Sequence, residues 1–306
     1  MVNDMKGEKL DQASALREMK KRESVARSSI TLPAFDVQNQ SPKHKVRVIA
    51  VTSGKGGVGK TNISVNLAYF LSKLKKKVLV LDADVGLANI DVILGLTPQY
   101  NLYHVLRGEK SIREIMVEGP GGMLILPAAS GIQEMTNLSQ GNRLTLLDEV
   151  KTLQDRVDFM LIDTGAGIAS HVMYFNMAAQ EIIVIATPEP TSITDAYALI
   201  KVLHQRHAKE HFRLLINMVK TEAEAKEVFS RLNQATNHFL NISIEYLGHV
   251  TYDEHISESI RKQQPFVTLF PDAPATKCLR KLAEKIAKEE RLAEVTGTPG
   301  FFWDAI

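Results

Sequence analysis

Beyond residue 45 the chain alternates short unbroken apolar runs with longer stretches in which apolar residues return every three or four positions. The unbroken runs predict strands buried on both faces at 46–51, 77–81, 123–126, 159–162, 182–186, 212–216 and 244–250. The three-to-four spacing predicts helices at 62–74, 140–154, 169–179, 192–208, 221–239 and 253–262. In the first of these, Ile63, Leu67, Phe70, Leu71 and Leu74 share one side. Such an alternation predicts an α/β fold, a doubly wound and mostly parallel sheet with helices on both faces.

The two ends break the pattern. Residues 1–45 hold nine Lys and Arg and few large apolar residues. A helix is predicted from about Asp11 to Val25, and Ser28 to Lys45, with Pro33 and Pro42, reads as a linker. At the other end a helix is predicted from about Pro274 to Glu294, followed by a tail with Phe301, Phe302 and Trp303. Leu279, Leu282, Ala283, Ile286 and Ala287 form its apolar stripe, flanked by Lys277, Arg280, Lys281, Lys285, Lys288 and Arg291. The expected organisation is therefore 1–45 as helix and flexible linker, 46–273 as the main domain, and 274–306 as amphipathic helix and aromatic tail. The stripe suits either a lipid surface or packing on the domain.

Composition narrows the classes. The 306 residues are 44% hydrophobic, enough for one large α/β domain or two small ones. A net charge of +2 gives no global electrostatic case for nucleic acid. The single cysteine, Cys278, excludes an intramolecular disulfide and any multi-cysteine metal site within one chain, as in a reducing compartment. No run approaches the roughly 18 apolar residues of a membrane span, and no apolar secretory signal opens the chain. A cytoplasmic location is expected.

Candidate chemistry is concentrated between the first strand and first helix. Gly54-Lys55-Gly56-Gly57-Val58-Gly59-Lys60-Thr61 satisfies the phosphate-binding pattern G-x-x-x-x-G-K-[ST], with Asn62 opening the helix. Glycines let the backbone wrap around phosphate, and the exposed N–H groups join the helix dipole in attracting anions. Lys60 is expected at the β- and γ-phosphates, and the Thr61 hydroxyl on Mg²⁺.

Two further runs end in aspartates at the same edge of the predicted sheet. Val78 to Leu81 leads into Asp82-Ala83-Asp84, and Phe159 to Ile162 leads into Asp163-Thr164-Gly165. Asp163 is expected to support Mg²⁺ through water. Asp82 and Asp84 share a face, one for the metal shell and one for an in-line water; spacing alone does not assign them. Asn217, ending Leu214-Leu215-Ile216, is either a purine contact or a turn residue. The guanine pattern N-K-x-D is replaced by Asn217-Met218-Val219-Lys220, which favours ATP over GTP.

The loop with its second lysine, Lys55, resembles the deviant Walker A of the MinD/ParA family of P-loop NTPases. Asp82 to Asp91 resembles the family's switch I, Leu161 to Gly167 its Walker B and switch II, and Thr187 to Ala196 the helix start that follows. The likeness covers about 46–270. It implies an ATP-bound homodimer in which Lys55 reaches the partner's phosphates, much as an arginine finger does. It also implies Asp84 as the water-activating aspartate, Asp82 and Asp163 in the Mg²⁺ shell, and Asn217 on adenine. One departure is Thr251 in Gly248-His249-Val250-Thr251-Tyr252-Asp253, where the family commonly has proline.

Asp11-Gln12-Ala13-Ser14-Ala15-Leu16-Arg17 resembles the D-Q-A-x-x-L-R motif of the flagellar-number branch of the family, the FlhG (FleN) proteins. That likeness implies an activator helix for an FlhF-like SRP-type GTPase, with Asp11, Gln12, Ala13, Leu16 and Arg17 at the contact. It also implies flagellar switch proteins and a flagellar transcription factor as partners, and peripheral attachment to the inner face of the cell membrane when ATP is bound. Other branches regulate the division site or partition DNA; the near-neutral charge and lack of an obvious helix-turn-helix weigh against the latter.

Overall fold

The computed structural model describes residues 46–84, 89–127 and 156–289, with 141, 145, 148, 149, 152 and 153 between them. The expected helix at Asp11–Val25 with its Asp11–Arg17 motif, most of the helix at 140–154, Val85 to Ala88 of the switch I segment, and the tail from residue 290 lie outside the described residues.

Each predicted apolar run becomes a strand. The order along the chain is β1 (Arg47–Ser53), α1 (Lys60–Lys73), β2 (Val78–Ala83), α2 (Ile90–Leu94), α3 (Leu102–Leu106), α4 (Ile112–Ile115), β3 (Val117–Glu118) and β4 (Leu124–Leu126). There follow β5 (Phe159–Ala166), α5 (Ser170–Ala178), β6 (Glu181–Ala186), α6 (Pro190–His207), β7 (Arg213–Val219) and α7 (Glu222–Leu240). The chain then forms β8 (Glu245–Thr251), α8 (His255–Arg261), α9 (Phe266–Leu269) and α10 (Pro274–Lys288). One sheet runs β3-β4-β2-β5-β1-β6-β7-β8, parallel throughout except where β3 meets β4. The doubly wound expectation holds.

The unbroken apolar runs follow from this burial. Along β1, Ile49 and Val51 join a core with Leu67 and Leu71 of α1, while Val48 and Ala50 join another with Met160 and Phe175. Successive residues thus serve opposite faces, and from Val48 to Val51 both faces take apolar side chains. The short helices α2, α3, α4 and α9 were not anticipated, because four or five residues are too few for a period to register. Ser111 and Glu114 close a capping box at α4, a signature visible in the sequence as S-x-x-E.

The C-terminal stripe is resolved against the lipid alternative. Leu279, Leu282, Ala283 and Ile286 are buried in the core shared with α1 and β8. Burying Leu279, Leu282 and Ile286 contributes roughly 5–9 kcal/mol. The apolar face of α10 is therefore occupied by the domain, and the expected division at 273/274 coincides with no break in packing. Arg47 fastens the end of this helix: its Nη1 donates to Ile286 O at 2.6 Å, and Nε and Nη2 donate to Glu181 at 2.7 and 2.8 Å.

Candidate nucleotide site

β1 delivers the chain into the glycine-rich turn at the carboxyl edge of the sheet. Gly54 passes against α6 so closely that a Cβ there would lie 2.1 Å from Asp195 O. Gly56 and Gly57 are exposed at the tip, and Val58 is buried beneath it. Gly59 has φ 90°, a left-handed conformation, and α1 starts at Lys60 with no side chain capping its first N–H groups. Those N–H groups and the dipole behind them form the anion site the motif implied.

Asn217 reaches this turn from β7, beyond β6 in the sheet, by means of a bulge. Ile216 pairs with His249 but Val219 pairs with Thr251, so between these two pairs β7 carries one residue more than β8, and Met218 takes φ 60°. Such bulges re-aim a side chain. Asn217 Nδ2 donates to Val58 O at 2.8 Å. Its Oδ1 is buried without a hydrogen-bond partner. An unpaired buried acceptor costs about 1–3 kcal/mol, and this one suits a donor such as the exocyclic amine of adenine. Guanine presents an oxygen at that position.

The carboxylates converge as expected. Asp82 and Asp163 are direct neighbours in the β2–β5 register, both buried. Asp163 Oδ1 accepts from Ser64 Oγ at 3.0 Å, and Thr61 also bonds this carboxylate. Asp82 Oδ2 accepts from the N–H groups of Asn89 and Ile90 at 2.9 and 3.0 Å, and Oδ1 from Asp84 N at 3.2 Å. Asp82 thus fastens the backbone before and after residues 85–88, a role the spacing did not disclose. Burial, then the charge of Asp163, pushes the Asp82 carboxyl up to about 7; burial also lifts Asp163 to about 6. Asp84 is half-buried, with Oδ1 beside Gly165 of the switch II segment.

These oxygens fit a hard cation. The Thr61 hydroxyl, Asp163 and Asp82 supply oxygen donors only. Among the described residues no three His, Cys, Asp or Glu side chains gather in a metal-holding group. Mg²⁺ carried on phosphates needs no such cage.

The two lysines are placed apart. Lys60 is 8% exposed, and Nζ donates to Ser53 Oγ at 3.0 Å. Burial lowers its pKa, opposed by the charges of Asp163 and Asp84. Lys55 instead bonds Glu189 and Thr191 at the start of α6, the latter at 3.0 Å. Asn62 accepts from Asn66 Nδ2 at 2.7 Å through both its side-chain and backbone oxygens, bracing the first turn of α1. Ser53, Ser64, Glu189 and Thr191 are residues the sequence did not single out.

The family model described as ParA, "NUBPL iron-transfer P-loop NTPase", matches residues 44–287. The antiactivator FleN of Pseudomonas aeruginosa is 44% identical over 259 residues, covering 85% of this chain and 92% of that protein. The flagellum site-determining protein YlxH of Helicobacter pylori is 35% identical and covers 83% of this chain and 82% of its own. Among solved structures, MinD in the MinC:MinD cell division complex of Aquifex aeolicus superimposes with a TM-score of 0.67 at 28% identity, covering 80% of this chain and 97% of that one. MinD of Pyrococcus horikoshii complexed with Mg-ADP gives 0.64 at 26%, covering 79% and 96%. With its lysine-bearing turn, paired strand-end aspartates and parallel sheet, the chain belongs to the ParA/MinD family of P-loop ATPases.

Proposed function

We propose that this ATPase is a dimerising switch that governs flagellar number or placement. The observation that carries the switch is the separation of the two lysines. Lys60 lies inside the cradle among the carboxylates, whereas the Lys55 ammonium rests on exposed Glu189 and Thr191. A loop lysine held outside its own phosphate site is suited to a second subunit's nucleotide.

Within one subunit Lys60 and the first N–H groups of α1 bind the phosphates, and Asn217 Oδ1 accepts from the adenine amine. Asp84 orients the attacking water and takes up its proton. Thr61, Asp82 and Asp163 would hold Mg²⁺ directly or through water, and the ion would supply charge neutralisation to the bound phosphates.

The flagellar reading rests on the names of two relatives, an antiactivator at 44% identity and a flagellum site-determining protein at 35%. MinD of Bacillus subtilis stands at 30%. The segment 1–45 is the arm for a partner GTPase of the FlhF kind, with Gln12 orienting water in that partner's site. Flagellar switch proteins and a transcription factor are further partners. Residues 290–306 carry any membrane contact, since α10 has no free apolar face. No described helix is long and apolar enough to cross a membrane.

The test is particle mass by light scattering with ADP and with ATP. Wild type should be monomeric with ADP and dimeric with ATP during turnover. Asp84→Ala should bind ATP, stay dimeric and cease hydrolysis. An Asp84→Ala protein that hydrolyses at the wild-type rate, or a wild type that stays monomeric with ATP, overturns the reading.

A further inference from the structure

We propose that Ser53 is a positioning residue: its hydroxyl holds the Lys60 ammonium for incoming phosphate and keeps it off the metal-side carboxylates. The proposal rests on the assignment of Lys60 to phosphate and Asp163 to the metal side.

Ser53 is fully buried at the last position of β1. Its Oγ accepts from Lys60 Nζ at 3.0 Å and donates to Lys55 O at 2.7 Å. The direction of both bonds is fixed. An ammonium only donates and a carbonyl only accepts, so the single hydroxyl proton belongs to Lys55 O and a lone pair faces Lys60. The Ser53 carbonyl also accepts from Gly167 N at 2.9 Å. One small residue thus ties together the Lys55 backbone, the phosphate lysine and the switch II segment.

The alternative partners of Lys60 explain why this matters. Asp163 and Asp84 are the charges that face it. A buried ammonium without a neutral acceptor moves onto the nearest carboxylate, because attraction is strong where water is excluded. Pairing with Asp163 would remove the negative charge a divalent cation needs, and would withdraw the ammonium from the phosphates. A neutral hydroxyl holds the lysine weakly enough to release it.

The 306-residue chain carrying Ser53→Ala, Ser53→Thr or Ser53→Cys is assayed for ATPase activity against free Mg²⁺, and for ADP affinity without Mg²⁺. In Ser53→Ala the Mg²⁺ concentration for half-maximal activity should rise about tenfold, equivalent to about 1.4 kcal/mol. ADP should bind more weakly without metal, and kcat at saturating Mg²⁺ should stay within about twofold of wild type. Ser53→Thr, which keeps the hydroxyl, should restore the Mg²⁺ midpoint. A merely structural serine would lower Tm and kcat at every Mg²⁺ level without moving that midpoint. Should Ser53→Ala not fold, Ser53→Cys gives the same comparison with a poor acceptor of similar size.

An unchanged Mg²⁺ midpoint in the folded Ala or Cys variant overturns the proposal. So does a folded Thr variant that behaves like Ala. If Lys60→Ala and Asp163→Asn themselves leave nucleotide affinity and Mg²⁺ dependence unchanged, the underlying site assignment has failed instead.

Discussion

Glu189 at the start of α6 holds the Lys55 ammonium 134 residues earlier in the chain, and Thr191 bonds the same nitrogen at 3.0 Å. The pair is largely solvent-exposed, so its contribution to folding is about 0.2–1 kcal/mol. Its importance is competitive, because the same ammonium is the one proposed to cross to a partner. Glu189→Gln should leave Tm within about 2 °C of wild type. The ATP concentration for half-maximal dimerisation should change by about two- to fivefold, which light scattering against ATP reads directly.

Asn217 should set base preference. Asn217→Ala removes both the clip on Val58 and the unpartnered Oδ1. ATP affinity should weaken by about 1–3 kcal/mol, that is about five- to 150-fold, while discrimination against GTP shrinks. Titration with fluorescent adenine and guanine nucleotides checks both. Retained discrimination would show that the base is read elsewhere.

The paired aspartates make stability depend on pH in a definite direction. Their folded pKa values lie above the ordinary carboxylate value, at about 7 for Asp82 and about 6 for Asp163. The folded state therefore binds more protons than the unfolded chain between pH 4 and 7. The stability these groups contribute is complete below their unfolded pKa and is lost as pH rises through the folded values. Asp163→Asn should raise Tm of the nucleotide-free protein, and the gain over wild type should grow from pH 5 to pH 8. Mg-ADP should stabilise wild type more at pH 8 than at pH 5. Scanning calorimetry at both pH values measures each difference.

α10 should behave as part of the core. Leu282 fills the space beside Gly248, where an added Cβ would lie 2.7 Å from Leu282 Cδ2. Leu282→Ala should cost about 2–5 kcal/mol in denaturant unfolding. Lys281→Glu, on the exposed side, should cost less than about 0.5 kcal/mol.

The phosphate turn was readable because its chemistry sits in eight consecutive residues. Asp82 and Asp163 were readable because apolar runs that end in aspartate place the side chain at a known edge of a parallel sheet. Ser64 and Glu189 were not, since Ser64 meets Asp163 only through helix–sheet packing and Glu189 meets Lys55 only where β6 passes β1. The α10 stripe announced an apolar face but not what that face meets. The bulge that aims Asn217 leaves no mark in composition, because Met218 is an unusual residue for a left-handed backbone position.

Arg47 opens the first strand and grips the last turn of α10. The polypeptide therefore enters and leaves the core at one point, roughly 20 Å along β1 from the phosphate turn. The domain is built like a loop clasped at its ends, so joining those ends and opening the chain at an exposed turn should give a circular permutant that still folds.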